Sequence, residues 1–345
     1  MIRRTILVFF ILLSVFLMGC HIDADTENRK GIVMNIIDSE TNIKSITLVG
    51  QAETFTLQEH IDKPFDKALV IGKLGEVRVF EEGYFKANED SIDYIDKYGN
   101  EIKDIAGVII NPPEGSITDA YYDMKEHIIY ENVLFLLLDG FGYHQYEYAK
   151  ENGFLPFLKD YEATKAMSVY RPVTNAGLAA IITGRTPEYN GVYSRKQREL
   201  QVGSIFKLAL ELERNTAYIE GNIGILNTEI QPILNLDENK DGYTDDEVYR
   251  CILEAIEDKK QFIFAHFHGI DDANHSCGPL SDEAMERIRT IDSYIEDIVS
   301  IWDGIVIITA DHGVHNVEDG GDHGDFRYED LIVPYIIINR GSKIE

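Results

Sequence analysis

Asp311, His312 and Gly313 stand at the end of an apolar run, Ile305 to Ile308. Such a run reads as a buried strand. A carboxylate and an imidazole released at its carboxyl end would lie where open α/β sheets bind ligands. Oxygen and imidazole donors together suit zinc, although Asp-His-Gly alone is a weak signal and more often marks a turn. Three further segments have the same character. Val133 to Leu138 is a second apolar run, and it delivers Asp139 into a turn flanked by Gly140 and Gly142. A charge there is unfavourable unless paired, with a metal as one partner and helix capping as the other reading. Phe262 to Phe267 precedes Asp271 and His275, whose spacing lets one helical turn place both on one face, able to share a cation. Asp272 would point elsewhere, and His266 and His268 read as solvated or strand-packed. The fourth segment, Gly320-Gly321-Asp322-His323-Gly324, is a Gly-rich turn presenting His323, with Asp322 and Asp325 as acidic loop residues.

A hydroxyl completes the inventory. Arg171-Pro172-Val173-Thr174 opens a run of small and apolar residues, Leu178 to Thr183, that reads as a buried helix closed by Gly184. Thr174 is then at the helix N-terminus, where backbone N–H groups and the dipole favour developing negative charge. A nucleophilic hydroxyl needs that environment or a metal, and ordinary N-capping is the competing reading. Separately, Asp237, Asn239, Asp241 and Gly242 have the D-x-N-x-D-G start of a calcium loop. Its twelfth position is Val248, with Glu247 one residue early. The two readings are a weak structural calcium site and an acidic turn followed by Thr244 capping a helix from Asp245.

These residues need elements to position them, and two patterns supply candidates. Residues 31–115 are rich in short β-like runs broken by turn-prone stretches, which fits a small all-β domain; Pro112-Pro113-Glu114-Gly115 reads as its linker. From about residue 128 to 345 strands alternate with helices. Strands are expected to end at Leu138, Val169, Ile219, Phe267, Ile308 and Ile338. Amphipathic helices fit Ser204 to Glu213, Asp245 to Glu257 and Ser281 to Ser300. That rhythm predicts an α/β fold, a mostly parallel sheet with helices on both faces.

Compartment and charge narrow the function. Met1 to Cys20 opens with Arg3 and Arg4, continues through the apolar Ile6 to Met18 and closes Leu17-Met18-Gly19-Cys20. This is the pattern of a secretory signal, and the apolar run is short for the ~20 residues of a membrane span. Its end resembles a bacterial lipobox. That resemblance implies a signal peptide over 1–19, cleavage before Cys20 and lipid on its sulfur. Residues 20–30 would be a tether and the mature chain extracytoplasmic, anchored to a bacterial membrane. Cys251 and Cys277 are too few for a disulfide framework and read as a pair or as free thiols. The formal net charge of −28 argues against binding nucleic-acid backbones or anionic membrane surfaces.

Taken in order, LLLDGFG, VTNAGLAAIITGRTPEYNGV, DDANHSCGP, ADHG and GDHG resemble the alkaline phosphatase superfamily. The branch is that of type I phosphodiesterases and nucleotide pyrophosphatases. The resemblance spans Asn132 to about Asn339. It implies an alkaline-phosphatase-like fold and a metal-dependent phosphoric ester hydrolase acting through a phosphothreonine. Thr174 would be the nucleophile. Asp139, Asp311 and His312 would hold the metal that activates it, and Asp271, His275 and His323 a second metal. Two divalent ions ~4 Å apart, zinc or alternatively manganese, would clamp the attacking and leaving oxygens of a small phosphorylated substrate. Where many relatives carry an Asn that touches a phosphoryl oxygen, this chain has Arg195, with Ser194 one residue away. A guanidinium fork favours a monoester or phosphonate over a diester. Phosphomonoesterase and phosphonate hydrolase are therefore the alternatives, with transfer of a phosphoryl-linked head group behind them. A non-catalytic surface binding lipoprotein is the reading from another class. No Cys-x-Pro-x-Arg setting is present, which disfavours a sulfatase.

Overall fold

A computed structural model of the chain describes residues 31–48, 54–80 and 82–339. The expected signal peptide, tether and Cys20 lie outside the described residues. Two N-terminal sheets come first. One runs in the order Asn42–Leu48, Ile32–Ile37, Ile105–Ile110, Ala68–Gly72, Val77–Phe80; the other runs Thr54–Phe55, Gly83–Ala87, Ile92–Asp96, Glu101–Ile102. Strand alternation sorts their side chains. Met34, Ile36, Val70, Val108 and Ile110 meet Phe85, Ile92 and Tyr94 between the sheets. Ile37, Leu69, Ile71 and Ile109 point the other way, onto Phe326 and Leu331 of the following region. Both faces are thus covered, which explains the unbroken apolar run of Ile105–Ile110.

The large sheet has eight strands in the order Gly115–Ser116, Ala163–Met167, Ile332–Ile338, Ile305–Thr309, Val133–Leu138, Phe262–Phe267, Thr216–Glu220, Ile233–Leu234. All neighbours pair in parallel except Ile332–Ile338, which runs against both of its partners. Every residue of Val133–Leu138, Phe262–Phe267 and Ile305–Thr309 is buried, so both faces of the sheet are covered. Register positions the chemistry. Leu137 pairs with both His266 and Thr309, so the three central strands end level and release Asp139, His268 and Asp311 at one edge.

Helix Asp245–Glu257 begins and ends where its periodicity predicts. Ile205–Glu211 and Asp282–Ile301 are capped by the hydroxyls of Ser204 and Ser281. Thr244 makes no such cap, which corrects that part of the turn reading. The strand expected to reach Val169 stops at Met167, where Ser168 turns away to bond the Leu331 carbonyl and, through its hydroxyl, the Asp311 carbonyl. The α/β unit also begins before residue 128. Gly115–Ser116 already pairs with Ala163–Met167, and helix Asp119–His127 packs against helix Thr174–Thr183. Cys251 and Cys277 are free thiols. Among the described residues no helix is long and apolar enough to cross a membrane.

Candidate metal centre and nucleophile

Thr174 is the first residue of helix Thr174–Thr183, after Val173 in extended conformation. Its Oγ1 lies 3.4 Å from His312 Nε2. The helix can come this close to the sheet edge because residue 177 is glycine: a Cβ there would sit 2.5 Å from the Asp311 carbonyl oxygen. Around Thr174 the donors are evenly spaced. His312 Nε2 is 3.4 Å from both Asp139 Oδ1 and Asp311 Oδ2. Donors bound tetrahedrally to one zinc ion stand about 3.3 Å apart, given metal–ligand distances near 2.0–2.1 Å. Asp311 Oδ1 accepts from the backbone N–H groups of Gly140 and His312, while its Oδ2 and the Oδ1 of Asp139 are buried with no hydrogen-bond partner. Buried carboxylate oxygens without partners need a cation.

The second group adjoins the first. His275 Nε2 is 3.3 Å from Asp271 Oδ2, one turn apart on helix Gly269–Cys277, and His323 Nε2 is 3.9 Å from Asp271 Oδ1. Donor atoms of Asp271, His312 and His323 lie within 4.8 Å of one another, so the two groups abut. Gly140, at φ +70°, lets the Asp139 turn approach Asp271, whose Oδ1 would be 2.6 Å from a Cβ at residue 140.

All three imidazoles are oriented from behind. Nδ1 donates to the carbonyl of Gly313 in His312, of Pro172 in His323 and of Gly321 in His275, at 3.1, 2.8 and 3.0 Å. A carbonyl only accepts, so each ring turns Nε2 toward the carboxylates, the arrangement typical of metal-ligating histidines. Burial pushes His312 down to about 4 and His323 down to about 3, leaving both neutral near pH 7. The Asp271 carboxylate bonded to His275 raises that ring to about 9. Burial and the nearby charges of Asp139 and Asp271 push Asp311 well above the usual carboxylate range. A divalent ion would relieve that crowding.

Arg195 reaches this site, with its Nη2 against His323 Nε2, while the Ser194 hydroxyl turns to Gln197. The acidic loop stands apart from these groups. Asp237 accepts from the N–H groups of Lys240 and Gly242, and Asn239 from that of Asp241. None of Asp237, Asn239 and Asp241 belongs to a metal-holding group among the described residues.

Three polar residues were not assigned to the site from sequence. His266 and His268 are neither solvated nor simply strand-packed: both contact the far oxygen of Asp139, and behind them lies Glu220, at the end of its own strand and fully buried. The His-x-His spacing was the available signal, because it puts both rings on one side of an apolar strand.

The α/β sheet thus gathers carboxylates and imidazoles at one edge, beside a threonine that opens a buried helix. Residues 225–334 match the family of type I phosphodiesterases and nucleotide pyrophosphatases, the branch that the motifs resemble. That match takes in Asp271, His275, Asp311, His312 and His323. Among curated proteins, GPI ethanolamine phosphate transferase 1 of Neurospora crassa is 29% identical over 112 residues, 30% of this chain and 11% of the transferase. The Homo sapiens protein of the same name is 28% identical over 102 residues, 27% of this chain and 11% of that one. The similarity thus spans about a tenth of these relatives' length. Among solved structures, phosphonoacetate hydrolase from Sinorhizobium meliloti gives a TM-score of 0.44 at 17% identity, covering 56% of this chain and 59% of the other. The lipooligosaccharide phosphoethanolamine transferase A of Neisseria meningitidis gives 0.47 at 11%, covering 60% and 47%.

Proposed function

We propose that this chain is a two-metal phosphoric ester hydrolase, phosphodiesterase/nucleotide pyrophosphatase-like, working outside the cytoplasm through a phosphothreonine on Thr174. One observation carries the reading: Thr174 Oγ1 lies 3.4 Å from His312 Nε2, a ring nitrogen already turned for ligation and itself 3.4 Å from two carboxylate oxygens left without hydrogen-bond partners. Oxygen and imidazole donors without thiolate fit zinc, with manganese as the alternative. Asp139, Asp311 and His312 would hold the ion beside Thr174, and Asp271, His275 and His323 the other. When bound, the ions lower the pKa of the Thr174 hydroxyl and stabilise the departing oxygen. Thr174 Oγ, its proton passed to solvent, attacks phosphorus as the opposite ester P–O bond breaks, and the helix N-terminus favours the charge that develops. Water then attacks the phosphothreonine, and the oxygen of Thr174 regains a proton. Arg195 binds phosphoryl oxygens and orients them. A lipid on Cys20 would hold the enzyme at the membrane surface.

The name of the curated relatives favours a second reading. An alcohol acceptor would replace water in the second step, and a phosphoethanolamine group would pass through Thr174. Zinc-loaded protein assayed on an aryl phosphate monoester and the matching diester, with and without an alcohol acceptor, separates these readings. Hydrolysis is expected, with Thr174→Ala slower by about 10³-fold or more while it retains its metal. Full turnover in Thr174→Ala would refute the phosphothreonine. Product formed only with acceptor present would favour transfer. Zinc and phosphate binding without cleavage would leave a binding lipoprotein.

A further inference from the structure

We propose that Asp139, His266 and His268 form a third metal site, for a divalent ion that prefers imidazole and carboxylate, such as zinc. It goes beyond the hydrolase reading and shares only Asp139 with it. The two oxygens of Asp139 face different groups. Oδ1 is 3.4 Å from His312 Nε2, on the Thr174 side. Oδ2 is 3.2 Å from His266 Nε2 and 3.2 Å from His268 Nδ1. One donor atom from each of Asp139, His266 and His268 lies within 4.8 Å of the others. These separations are close to the about 3.3 Å between donors around one tetrahedral zinc.

The opposite edges of both rings meet a single carboxylate. Glu220 Oε2 is 2.8 Å from His266 Nδ1 and 3.1 Å from His268 Nε2, and the Tyr218 hydroxyl donates to the other Glu220 oxygen. Asp139, His266 and Glu220 are 3%, 0% and 0% exposed, and only the His268 side chain, 16% exposed, reaches toward solvent. All four ring nitrogens therefore face carboxylate oxygens. A neutral imidazole carries one N–H, so two neutral rings would press two lone pairs against carboxylates, and one neutral ring beside one protonated ring would still press one. Two protonated rings would repel each other, because their centroids are 3.8 Å apart. A divalent ion on the Asp139 side removes both conflicts. Each ring keeps one N–H for Glu220 and turns its other nitrogen to the metal, and Glu220 fixes both tautomers at once. Asp139 then bridges this ion and the one beside Thr174, so charge at the new site tunes the carboxylate serving the nucleophile.

Metal counting tests the assignment. The full chain is stripped with chelator and dialysed against zinc, and metal per chain is read by mass spectrometry for wild type, His268→Leu and Glu220→Gln, with folding checked by circular dichroism. Wild type should hold three ions and His268→Leu two. Glu220→Gln, which touches no ligand atom of the metal, should bind its third equivalent about 10–100-fold more weakly with the other two unchanged. Two ions in wild type, three in His268→Leu, or an unaltered third affinity in Glu220→Gln would overturn the site. Should His268→Leu not fold, the near-isosteric Glu220→Gln decides alone. Three ions without ester cleavage would remove the hydrolase reading and leave this one standing; cleavage with two ions would do the reverse.

Discussion

Arg195 brings a full positive charge to a site otherwise made of carboxylates and imidazoles. Arg195 is exposed, yet its guanidinium reaches His323, and on the proposed mechanism it would bind a phosphoryl oxygen there. Hydrogen bonds to charged groups contribute about 1.5–3 kcal/mol, so Arg195→Ala should raise KM for a monoester about 10–100-fold. The diester, with a single charge, should change much less. Equal losses on both would make Arg195 structural. His275 differs from its two partners in another way. Asp271 holds it up at about 9, whereas burial keeps His312 and His323 at about 4 and 3. With the pKa raised, the metal-free ring holds a proton below about 9, binding must release it, and affinity falls as pH drops. Calorimetry of zinc binding at pH 7 in buffers of different ionisation heat should find one ion and about one released proton fewer in His275→Ala. An unchanged proton count would remove His275 from the ligands.

At the scale of elements, the site depends on three strands ending level and on one helix lying unusually close to them. Gly177 sets that closeness, since a Cβ there would meet Asp311 O at 2.5 Å and Asp311 Cβ at 2.6 Å. Gly177→Ala should push the helix back, lower stability by about 1–3 kcal/mol and cut turnover sharply, because Thr174 moves with the helix. Unaltered turnover would mean the backbone accommodates the methyl without moving Thr174. The central strands were legible in sequence because burial on both faces leaves unbroken apolar runs, as in Val133–Leu138 and Ile305–Thr309. Asp139, Asp311 and His312 were legible as polar residues ending such runs. The direction of Ile332–Ile338 was not, because an apolar run buried in a parallel setting reads the same in an antiparallel one. Nor was Glu220, whose meaning depends on strand register: it meets His266 only because Thr216–Glu220 pairs beside Phe262–Phe267. Arg195 was suspected from its place in the family resemblance, but its reach to His323 depends on a loop path that the sequence does not encode.

The whole molecule gives the N-terminal sheets, which carry no evident chemistry in sequence, a structural task. The segment between His323 and Ile332–Ile338 meets its own α/β unit through the Asp330 and Leu331 carbonyls, which accept from the N–H groups of Gly313 and Ser168. Phe326 packs against Gly107, where a Cβ would lie 2.5 Å from its ring, and it shares an apolar cluster with Ile37, Leu69, Ile71 and Ile109. Asn42 fastens the same segment twice, accepting from the Tyr328 N–H at 2.8 Å and donating to Glu329 at 2.7 Å. The chain that presents His323 is therefore held from one side by the Pro172 carbonyl and from the other by the five-stranded N-terminal sheet. Phe326 is 4% exposed, so Phe326→Ala should lower stability by about 3 kcal/mol or more. If the sheets also position the ligand, the same change should weaken one zinc equivalent, the one shared by Asp271, His275 and His323, and spare the ion beside Thr174. Stepwise zinc competition together with denaturant unfolding separates these effects. A destabilised variant that binds every ion with wild-type affinity would make the N-terminal sheets a spacer, while selective loss would make them part of how the metal centre is built.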